Sequence, residues 1–176
     1  MMRFMRLFYV IYNKVYKEVS PNLFAKKIGV RFGKDCRFIN VDFGSEPYLI
    51  SIGDHVSITL ARFVTHDGSV WIFRDKHPDV DIVAPIRIGN NVFIGVGCTI
   101  LSGITIGDNV IIGAQSLVSR DIPAGVVAAG VPAKPIRSVE EYWDKISKET
   151  LHTKHMSSKA KRLYLERTFG LNPNYS

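Results

Sequence analysis

The sequence contains only two cysteines, Cys36 and Cys98, among its 176 residues. This small number argues against a disulfide framework and against a cysteine zinc site. Long apolar runs are missing as well. At the N-terminus the uninterrupted apolar run is Leu7–Tyr12, which is too short to span a bilayer, and no small-residue cleavage site follows it. We therefore expect neither a transmembrane segment nor a secretory signal.

The glycine patterns of nucleotide-binding loops are also missing. The chain has no P-loop and no GxGxxG sequence, which argues against nucleotide hydrolysis and against a dinucleotide-binding fold. Lys and Arg number 23 against 16 Asp and Glu, so the formal net charge is +7. These basic residues are scattered, and much of the excess lies in the C-terminal tail, so nucleic-acid binding is not expected. A positive surface also suits an enzyme that binds phosphate groups.

The length predicts one domain with short additional segments, and 46% hydrophobic residues are enough for a core. The most regular part of the sequence is a six-residue repeat from Ile88 to Pro123. Aligned in sixes, it reads IGNNVF, IGVGCT, ILSGIT, IGDNVI, IGAQSL and VSRDIP. The first position is always β-branched: Ile88, Ile94, Ile100, Ile106, Ile112 and Val118. The fifth position is apolar in all but one six: Val92, Cys98, Ile104, Val110, Ser116 and Ile122.

This period fits neither the repeat of a helix nor that of a two-sided strand. It predicts a coil whose flat sides are short strands, with the first and fifth residues of each six pointing inward. Glycine, asparagine and aspartate suit the corners because they tolerate positive φ. Three sixes would complete one triangular turn, and stacked turns would bury a core that one six cannot bury alone. An ordinary Val/Ile-rich parallel sheet is the alternative, but it does not explain six matches in register.

The run from Ile88 to Arg137 resembles the hexapeptide-repeat acyltransferases, and most closely the maltose, galactoside and capsular-polysaccharide O-acetyltransferases. The resemblance covers residues 28–137 and is strongest over 86–137, where the AAGVPAKPIR ending is typical of the branch that uses acetyl-CoA. It implies a mainly β protein, a single-stranded left-handed parallel β-helix, that assembles as a homotrimer and takes acetyl from acetyl-CoA. The periodicity alone predicts only a solenoid.

The chain is expected to divide into three segments. They are an N-terminal helical segment over residues 1–27, the β-helix domain over residues 28–137 and a C-terminal helical segment over residues 138–176. Residues 1–19 form an amphipathic pattern with basic and aromatic side chains, which favours either packing on the end of the coil or weak peripheral membrane contact. Residues 22–30 are expected to be a connector. Near the C-terminus, Ser138 and Glu141 form a capping-box pattern, and Gly170 marks a helix end.

The six-residue pattern is interrupted twice. It loses register over residues 40–47, and it is absent from Val64 to Asp81. After the second interruption, Ile82 and Ile86 are expected to resume as inward-facing residues. Because loops leave a solenoid at such interruptions and often carry function, residues 64–81 are expected to protrude toward a neighbouring subunit.

Acetyl transfer to a hydroxyl requires a base, and histidine is the usual one because its pKa lies near neutral pH. Of the five histidines, His66 lies at the start of the long interruption. The resemblance implies that His66 is the general base. His55 is expected at a solvent-facing corner, the two C-terminal histidines on the surface, and His77 in the loop as a weaker candidate. Asp67 is adjacent in sequence and is not expected to orient the His66 ring.

The resemblance also implies a groove between subunits for acetyl-CoA. Small side chains would admit the narrow pantetheine arm, and basic side chains would contact the phosphates. The implied cofactor-binding residues are Val96, Ala114, Ser119, Arg120, Ala129, Lys134 and Arg137. Val96 departs from the smaller residue often found at its position in the family. For Arg137, an ordinary surface charge is the alternative. A backbone N–H in the Gly95–Gly97 stretch is expected to stabilise the oxyanion that develops in acyl transfer.

The acceptor is implied to contact polar residues of the first interruption, namely Asn40, Asp42 and Glu46. Trp71 and Phe73 either stack on a sugar or hold the loop in place. The sequence therefore predicts an O-acetyltransferase for a sugar hydroxyl in polysaccharide biosynthesis. We expect it in the cytoplasm or peripherally at the inner membrane face, with acetyl-CoA as co-substrate, a saccharide or small-molecule acceptor, no metal and no nucleic-acid partner.

Three alternatives stay open at this point. The acceptor could be an amino sugar or a compound other than a sugar. A zinc enzyme resembling γ-type carbonic anhydrases would use three histidines between subunits, and His55, His66 and His77 are evenly spaced although they lack that family's pattern. A non-catalytic trimeric scaffold would have no affinity for CoA.

Overall fold

A computed structural model describes residues 18–171. Within them the chain forms two compact units, one ending at Tyr142 and one beginning at Trp143. The first unit is a coil of short strands. Their bounds are Arg31–Phe32 (β1), Arg37–Ile39 (β2), Ile50–Ile52 (β3), Val56–Thr59 (β4), Arg62–Phe63 (β5), Ile86–Ile88 (β6), Val92–Ile94 (β7), Thr99–Ile100 (β8), Thr105–Ile106 (β9), Val110–Ile112 (β10), Leu117–Val118 (β11), Val126–Gly130 (β12) and Ala133–Ser138 (β13).

The strands form three sheets, which are the flat sides of the coil. Their orders are β1-β3-β6-β9, β2-β4-β7-β10-β12-β13 and β5-β8-β11. From β3 to β11, consecutive strands of the chain belong to the three sheets in rotation, so each turn contributes one strand to each side. The pairing is parallel throughout, apart from the antiparallel hairpin of β12 and β13. The mainly β, parallel-coil prediction is confirmed.

The core is a stack of inward-facing side chains from successive turns. Ile58 pairs with Ile94, and Ile94 pairs with Ile112, in the register of the six-stranded sheet. All residues at the first and fifth positions of the repeat are at most 6% exposed, which confirms both inward positions. The polar exception, Ser116, donates its hydroxyl to the Gly113 carbonyl over 2.6 Å. Burial of each isoleucine contributes about 1.5–3 kcal/mol relative to exposure.

One corner of the coil is a ladder of positive-φ residues. Asp35, His55, Asn91 and Asn109 have φ values of 54°, 55°, 53° and 54°. Nδ1 of His55 lies 2.8 Å from Oδ1 of Asn91, whose amide in turn donates to Oδ1 of Asn109 over 2.8 Å. Short polar side chains bond locally at such corners, which offsets the steric cost of the left-handed conformation. His55 is exposed, as its corner position predicts.

In the long excursion from the coil, residues 64–85, the two backbone segments next to the coil are hydrogen-bonded to each other. His66 and Val83 form an antiparallel bridge. The Ala84 N–H donates to the Thr65 carbonyl over 3.0 Å. These contacts fix the backbone on both sides of His66. We call the paired residues 65–67 and 82–84 the stem of the excursion. The histidine lies on this ordered stem rather than at the tip of the loop.

The stem makes the excursion longer than the interruption in the repeat. The Asp67 N–H donates to the Ile82 carbonyl over 2.8 Å, so Ile82 belongs to the stem. Ile82 is 47% exposed, whereas Ile86 is fully buried in β6. The expectation that Ile82 resumes as an inward residue is wrong because backbone pairing continues past the end of the irregular sequence. The loop itself contains a 3₁₀ helix, Gly68–Phe73.

A short helix, α1 (Pro21–Lys27), precedes the coil. Pro21 begins it, where the fixed φ of proline suits the first helical turn. Ala25 is fully buried against the coil. The prediction of a connector over residues 22–30 is therefore wrong for most of that stretch. The amphipathic helix predicted for residues 1–19 lies almost entirely outside the described residues.

The C-terminal segment contains two α-helices, α2 (Val139–Ile146) and α3 (Ser158–Thr168), with a 3₁₀ turn at Ser147–Glu149. The predicted capping box is present: the Glu141 N–H donates to Ser138 Oγ, and the Ser138 N–H to Glu141 Oε2, both over 3.0 Å. Gly170 follows α3 with φ +64°, and its N–H donates to the Arg167 carbonyl over 3.2 Å. The predicted helix end is confirmed.

Among residues 18–171, none of the helices combines the length and the apolar character that crossing a membrane requires.

Candidate active site

His66 lies on the stem of the excursion, directly beyond the coil. Its Nδ1 atom is 3.1 Å from Oε2 of Glu46. The His66 side chain is 41% exposed and the Glu46 side chain 22% exposed. The ring is therefore anchored on one edge by a carboxylate and open to solvent elsewhere, which is the arrangement that a general base needs.

The same carboxylate oxygen has a second donor. The Thr65 hydroxyl donates to Glu46 Oε2 over 2.5 Å, a length typical of a charge-assisted O–H···O⁻ bond. Thr65 is completely buried. This bond is the main cause that lowers the pKa of Glu46 below the usual carboxyl value, and the hydrogen bond from His66 lowers the pKa of Glu46 further. Glu46 is thus held as a carboxylate.

Glu46 reaches His66 because two neighbouring turns run side by side with a constant offset of 20 residues. Asp42 and Arg62 form a parallel bridge, and the ring of Phe43 stacks on that of Phe63 at 5.6 Å. Gly44 follows with φ +68°, and a Cβ there would lie 2.6 Å from the Phe63 carbonyl oxygen. Only glycine permits this close approach, which carries the chain on toward Glu46.

Asp67 does not contact the His66 ring. Its Oδ1 atom accepts the Ser69 N–H over 2.9 Å and caps the 3₁₀ helix of the loop. These hydrogen bonds from Ser69 lower the pKa of Asp67. The sequence prediction that Asp67 does not orient His66 agrees with this geometry. His77 lies further along the excursion, where its N–H donates to the Phe73 carbonyl over 2.8 Å and its side chain is exposed.

The three predicted acceptor residues have different surroundings. Asp42 Oδ2 lies 3.5 Å from Arg62 Nε, and its Oδ1 accepts the Gly44 N–H over 3.1 Å. Asn40 is exposed at a corner with φ +50°. Glu46 is the residue that meets the His66 ring, a contact that sequence reasoning missed. The signal for it was the fixed offset between adjacent turns, which depends on knowing how the turns stack.

Three of the predicted cofactor-binding residues form a row along one corner of the coil. Val96 and Ala114 lie on consecutive turns, where a Cβ on Gly95 would be 2.6 Å from the Ala114 nitrogen. Ala129 follows on the next turn, 2.8 Å from where a Cβ on Gly113 would be. The turns are therefore in close contact here, and the row presents small side chains to the outside.

The basic residues predicted to bind the cofactor are more spread out. In the β12–β13 hairpin, Lys134 pairs with Ala129, which puts it at the end of the row of small residues. Arg137 pairs with Val127, further along the hairpin. Ser119 and Arg120 follow β11, on a different corner from that row. The structure thus groups Val96, Ala114, Ala129 and Lys134, and separates the other three from them.

The backbone amides of the Gly95–Gly97 turn differ in their bonding. The Gly95 N–H donates to the Ile112 carbonyl over 2.9 Å, and the Gly97 N–H donates to the Leu60 carbonyl over 3.2 Å. Within residues 18–171, no acceptor is found for the Val96 N–H. Of the three amides, only that of Val96 remains free to bind an oxyanion.

The outer face of the six-stranded sheet carries a separate groove of about 500 Å³. Arg37, His55 and Phe93 are among its lining residues, and the predicted site residues are not. Within the described residues, no three His, Cys, Asp or Glu side chains come together as a metal site would require. The candidate site is therefore the exposed surface around His66 rather than this groove.

Comparison with known proteins identifies the family. Residues 85–120 match the family described as Bacterial transferase hexapeptide (six repeats). Over 151 residues the chain is 52% identical to protein CapG of Staphylococcus aureus, a match covering 84% of this chain and 88% of CapG. The chain belongs to the hexapeptide-repeat acyltransferase family.

Two acetyltransferases are also similar to this chain. Galactoside O-acetyltransferase of Escherichia coli is 41% identical over 97 residues, which cover 54% of this chain and 47% of that protein, so the match spans about half of each. The crystal structure of a Vibrio cholerae hexapeptide-repeat acetyltransferase complexed with acetyl coenzyme A superposes with a TM-score of 0.55 and 26% identity, covering 73% of this chain and 84% of that one. The predicted family and enzyme class are confirmed.

Proposed function

We propose that the protein is an acetyl-CoA-dependent O-acetyltransferase that acetylates a sugar hydroxyl in polysaccharide biosynthesis. The observation that carries this proposal is the half-exposed His66 ring, held at Nδ1 by the Glu46 carboxylate beside the coil. The relatives support it, since one is named for O-acetylation of a galactoside and another was crystallised with acetyl coenzyme A.

His66 is the general base of the proposed reaction. Because a carboxylate can only accept, the proton between Glu46 Oε2 and His66 must reside on Nδ1. This tautomer leaves the Nε2 lone pair free for the proton of the acceptor hydroxyl. Glu46 then stabilises the positive charge that the ring acquires, and it keeps the ring oriented throughout. The tautomer is assigned from the hydrogen-bond geometry.

The residues around the corner row fit acetyl-CoA. Ala114 and Ala129 present small side chains on successive turns, so a narrow pantetheine arm can approach the backbone there. Val96, on the turn before them, is larger than the residue often found at this position in the family. Lys134, paired with Ala129, supplies a positive charge for a phosphate at the end of the row. When bound, acetyl-CoA supplies a thioester carbonyl that is open to attack by the acceptor oxygen. Ser119, Arg120 and Arg137 are assigned to the outer parts of the same co-substrate.

The Val96 N–H is the proposed oxyanion donor. Its two neighbours in the turn already donate to coil carbonyls, at 2.9 Å for Gly95 and 3.2 Å for Gly97. A fixed backbone donor costs no reorganisation when charge develops on the acyl oxygen. For the acceptor, we propose Asn40 and Asp42 as hydroxyl contacts, together with the Oε1 atom of Glu46.

We also propose the remaining features that the family resemblance implies. The catalytic domain comprises residues 28–137 between helical segments over 1–27 and 138–176. The coil is left-handed with a single strand per side and turn. Three copies assemble so that the excursion of one subunit contributes to a site with its neighbour.

The exposed side chains of the excursion support that assembly. Trp71, Ile72 and Phe73 are 77%, 76% and 54% exposed, and this contiguous apolar patch suits a protein contact. Val70 instead is buried and holds the 3₁₀ helix in place. We propose that the enzyme works in the cytoplasm, with weak peripheral contact of the N-terminal segment, residues 1–19, at the inner membrane face.

The proposed function is tested by an acceptor screen with acetyl-CoA and a thiol-release readout. Nucleotide-activated sugars, free oligosaccharides and amino sugars serve as acceptors, each with a minus-acceptor control. We expect thiol release that depends on a saccharide, and a product that gains one acetyl group. Loss of that group in mild alkaline hydroxylamine identifies an ester. An alkali-stable product would overturn O-transfer, and acetyl-CoA binding without turnover on any saccharide would overturn the sugar acceptor.

A further inference from the structure

We infer that Thr65 is a positioning residue of this reaction, whose hydroxyl holds Glu46 so that Glu46 can hold the His66 ring. The inference rests on the proposed role of His66 as the base and adds a third member to the site. Thr65 itself is completely buried and lies one residue before His66, so it has no contact with an acceptor. It acts through Glu46 alone.

One oxygen of Glu46, Oε2, accepts hydrogen bonds from both Thr65 and His66. Glu46 Oε2 accepts from Thr65 Oγ1 at 2.5 Å and lies 3.1 Å from His66 Nδ1. A carboxylate oxygen offers two lone-pair directions, and each is taken by one donor. The oxygen therefore has no strong position left for water, although the Glu46 side chain is 22% exposed. The imidazole can form a hydrogen bond with Glu46 Oε2 only by donating an Nδ1–H.

The threonine side chain is suited to this task. A β-branched residue has few side-chain rotamers, so its hydroxyl direction is set by the backbone. That backbone is fixed by the stem, where the Thr65 carbonyl accepts the Ala84 N–H over 3.0 Å. A glutamate has three rotatable bonds and would otherwise sample several positions. Without the hydroxyl, water can take the vacated lone pair and the carboxylate can turn away from the ring.

The other charged groups near the site are occupied. The Asp67 carboxylate, on the same stem, accepts the Ser69 N–H. On the adjacent turn, Asp42 lies 3.5 Å from Arg62 and accepts the Gly44 N–H. Glu46 is thus the acidic group that faces the His66 ring, and Thr65 is the neutral donor that holds the Glu46 carboxylate. Changing Thr65 alters the ring's support without changing the charge of the site.

The test compares Thr65→Val, which keeps the shape but removes the hydroxyl, with Thr65→Ser, which keeps the hydroxyl. We expect Thr65→Val to lower kcat by roughly 10-fold to 100-fold, as small misplacements of a catalytic group do. The KM for acetyl-CoA should stay near its wild-type value. Thr65→Ser should restore most of kcat. Equal losses in both variants would show that packing rather than the hydroxyl matters and would overturn the inference.

A second readout does not depend on turnover. The ¹⁵N shifts of the His66 ring at pH 8 report its tautomer, and His66→Gln identifies its signals. We expect a protonated Nδ1 in the wild type and in Thr65→Ser, and a mixture of tautomers in Thr65→Val. If Thr65→Val does not fold, Thr65→Ala is measured in the same way. An unchanged tautomer and unchanged kcat in the variant lacking the hydroxyl would overturn the inference alone. An active His66→Ala would remove His66 from the mechanism and the inference with it. A wild-type protein that acetylates no saccharide would instead overturn the proposed function.

Discussion

Oε2 of Glu46 lies 3.1 Å from Nδ1 of His66, although the two residues are 20 positions apart in the sequence. The same offset relates Asp42 to Arg62 and Phe43 to Phe63, because adjacent turns of the coil stack in parallel. The parallel stacking of these two turns therefore brings the carboxylate to the histidine, although both residues lie where the six-residue repeat is interrupted. The base of the proposed reaction stands on the rigid coil and its stem, which favours a fixed ring orientation.

Replacement of His66 by alanine should lower kcat by roughly 10²–10⁴-fold, the usual contribution of a positioned base. Acetyl-CoA affinity should change little, because the proposed cofactor residues lie on other turns. Thiol-release kinetics and calorimetric titration measure the two effects. His77→Ala, in the exposed part of the loop, is the matched control, and near-full turnover in His66→Ala would remove it from the mechanism.

Lys134→Ala should weaken acetyl-CoA binding by about 1–3 kcal/mol if its ammonium group contacts a phosphate. The loss should shrink at high salt, since exposed charges are screened. Calorimetry at low and high ionic strength tests this prediction. Lys34→Ala is the control. Lys34 lies between the first two strands of the coil, whereas Lys134 lies in the last hairpin, so only Lys134 is placed next to the proposed cofactor residues. Equal affinity of Lys134→Ala and wild type at low salt would count against the phosphate contact.

The lowered pKa of Glu46 makes a prediction about acid stability. An unfolded glutamate takes up its proton near the ordinary value of 4.5, and the folded one only at lower pH. The hydrogen bonds of Glu46 therefore stabilise the fold fully above that value, and this contribution is lost as the pH falls through the lowered pKa. Urea unfolding should show that the free energy of unfolding falls more between pH 7 and pH 3.5 for wild type than for Glu46→Gln. The control is Asp75→Asn, which replaces an exposed loop carboxylate and should lose as much unfolding free energy as wild type. An equal decrease in Glu46→Gln and wild type would contradict the stabilising role of the Glu46 carboxylate.

Gly95→Ala should destabilise the coil by about 1–3 kcal/mol, as overpacking does. The added Cβ would lie 2.6 Å from the nitrogen and 2.8 Å from the Cα of Ala114, and neither backbone atom can move aside freely. Gly68→Ala is the matched control because a Cβ at Gly68 meets no atom within 4 Å. Thermal unfolding should separate the two variants. Equal melting temperatures would contradict the close stacking of turns at this corner.

The proposed assembly predicts a particle of three times the 19.8 kDa of one chain. Light scattering on the eluting protein measures this mass directly. A double replacement of the exposed Trp71 and Phe73 by serine should weaken the assembly and the activity together, since the site is proposed to lie between subunits. A monomer with full activity would contradict this arrangement.

The coil was predictable because its signal is local and repeated. Each six carries its own inward isoleucine, and five of the six carry a glycine or asparagine for a corner, so repeated independent observations support one register. His66 was identifiable for a related reason, as a titratable residue at the point where the repeat stops. By contrast, Ile82 fits the repeat by phase but lies 47% exposed, because the Asp67 N–H pairs with its carbonyl in the stem. Periodicity cannot detect a backbone pairing between two segments that lie outside the repeat.

The sequence by itself determined which side chains face inward between Ile88 and Pro123, that the chain leaves the coil at Val64, and which histidine is the candidate base. The first two follow from periodicity and from residue type at corners, and the choice of His66 follows from its place at the interruption together with the family resemblance. Only the tertiary structure decided that Glu46 and Thr65 meet at one carboxylate oxygen beside that histidine, and that Ser119 and Arg120 lie away from the row of Val96, Ala114 and Ala129. Contacts of this kind depend on how turns stack and on the direction in which each side chain leaves the backbone, and neither is written in the local sequence.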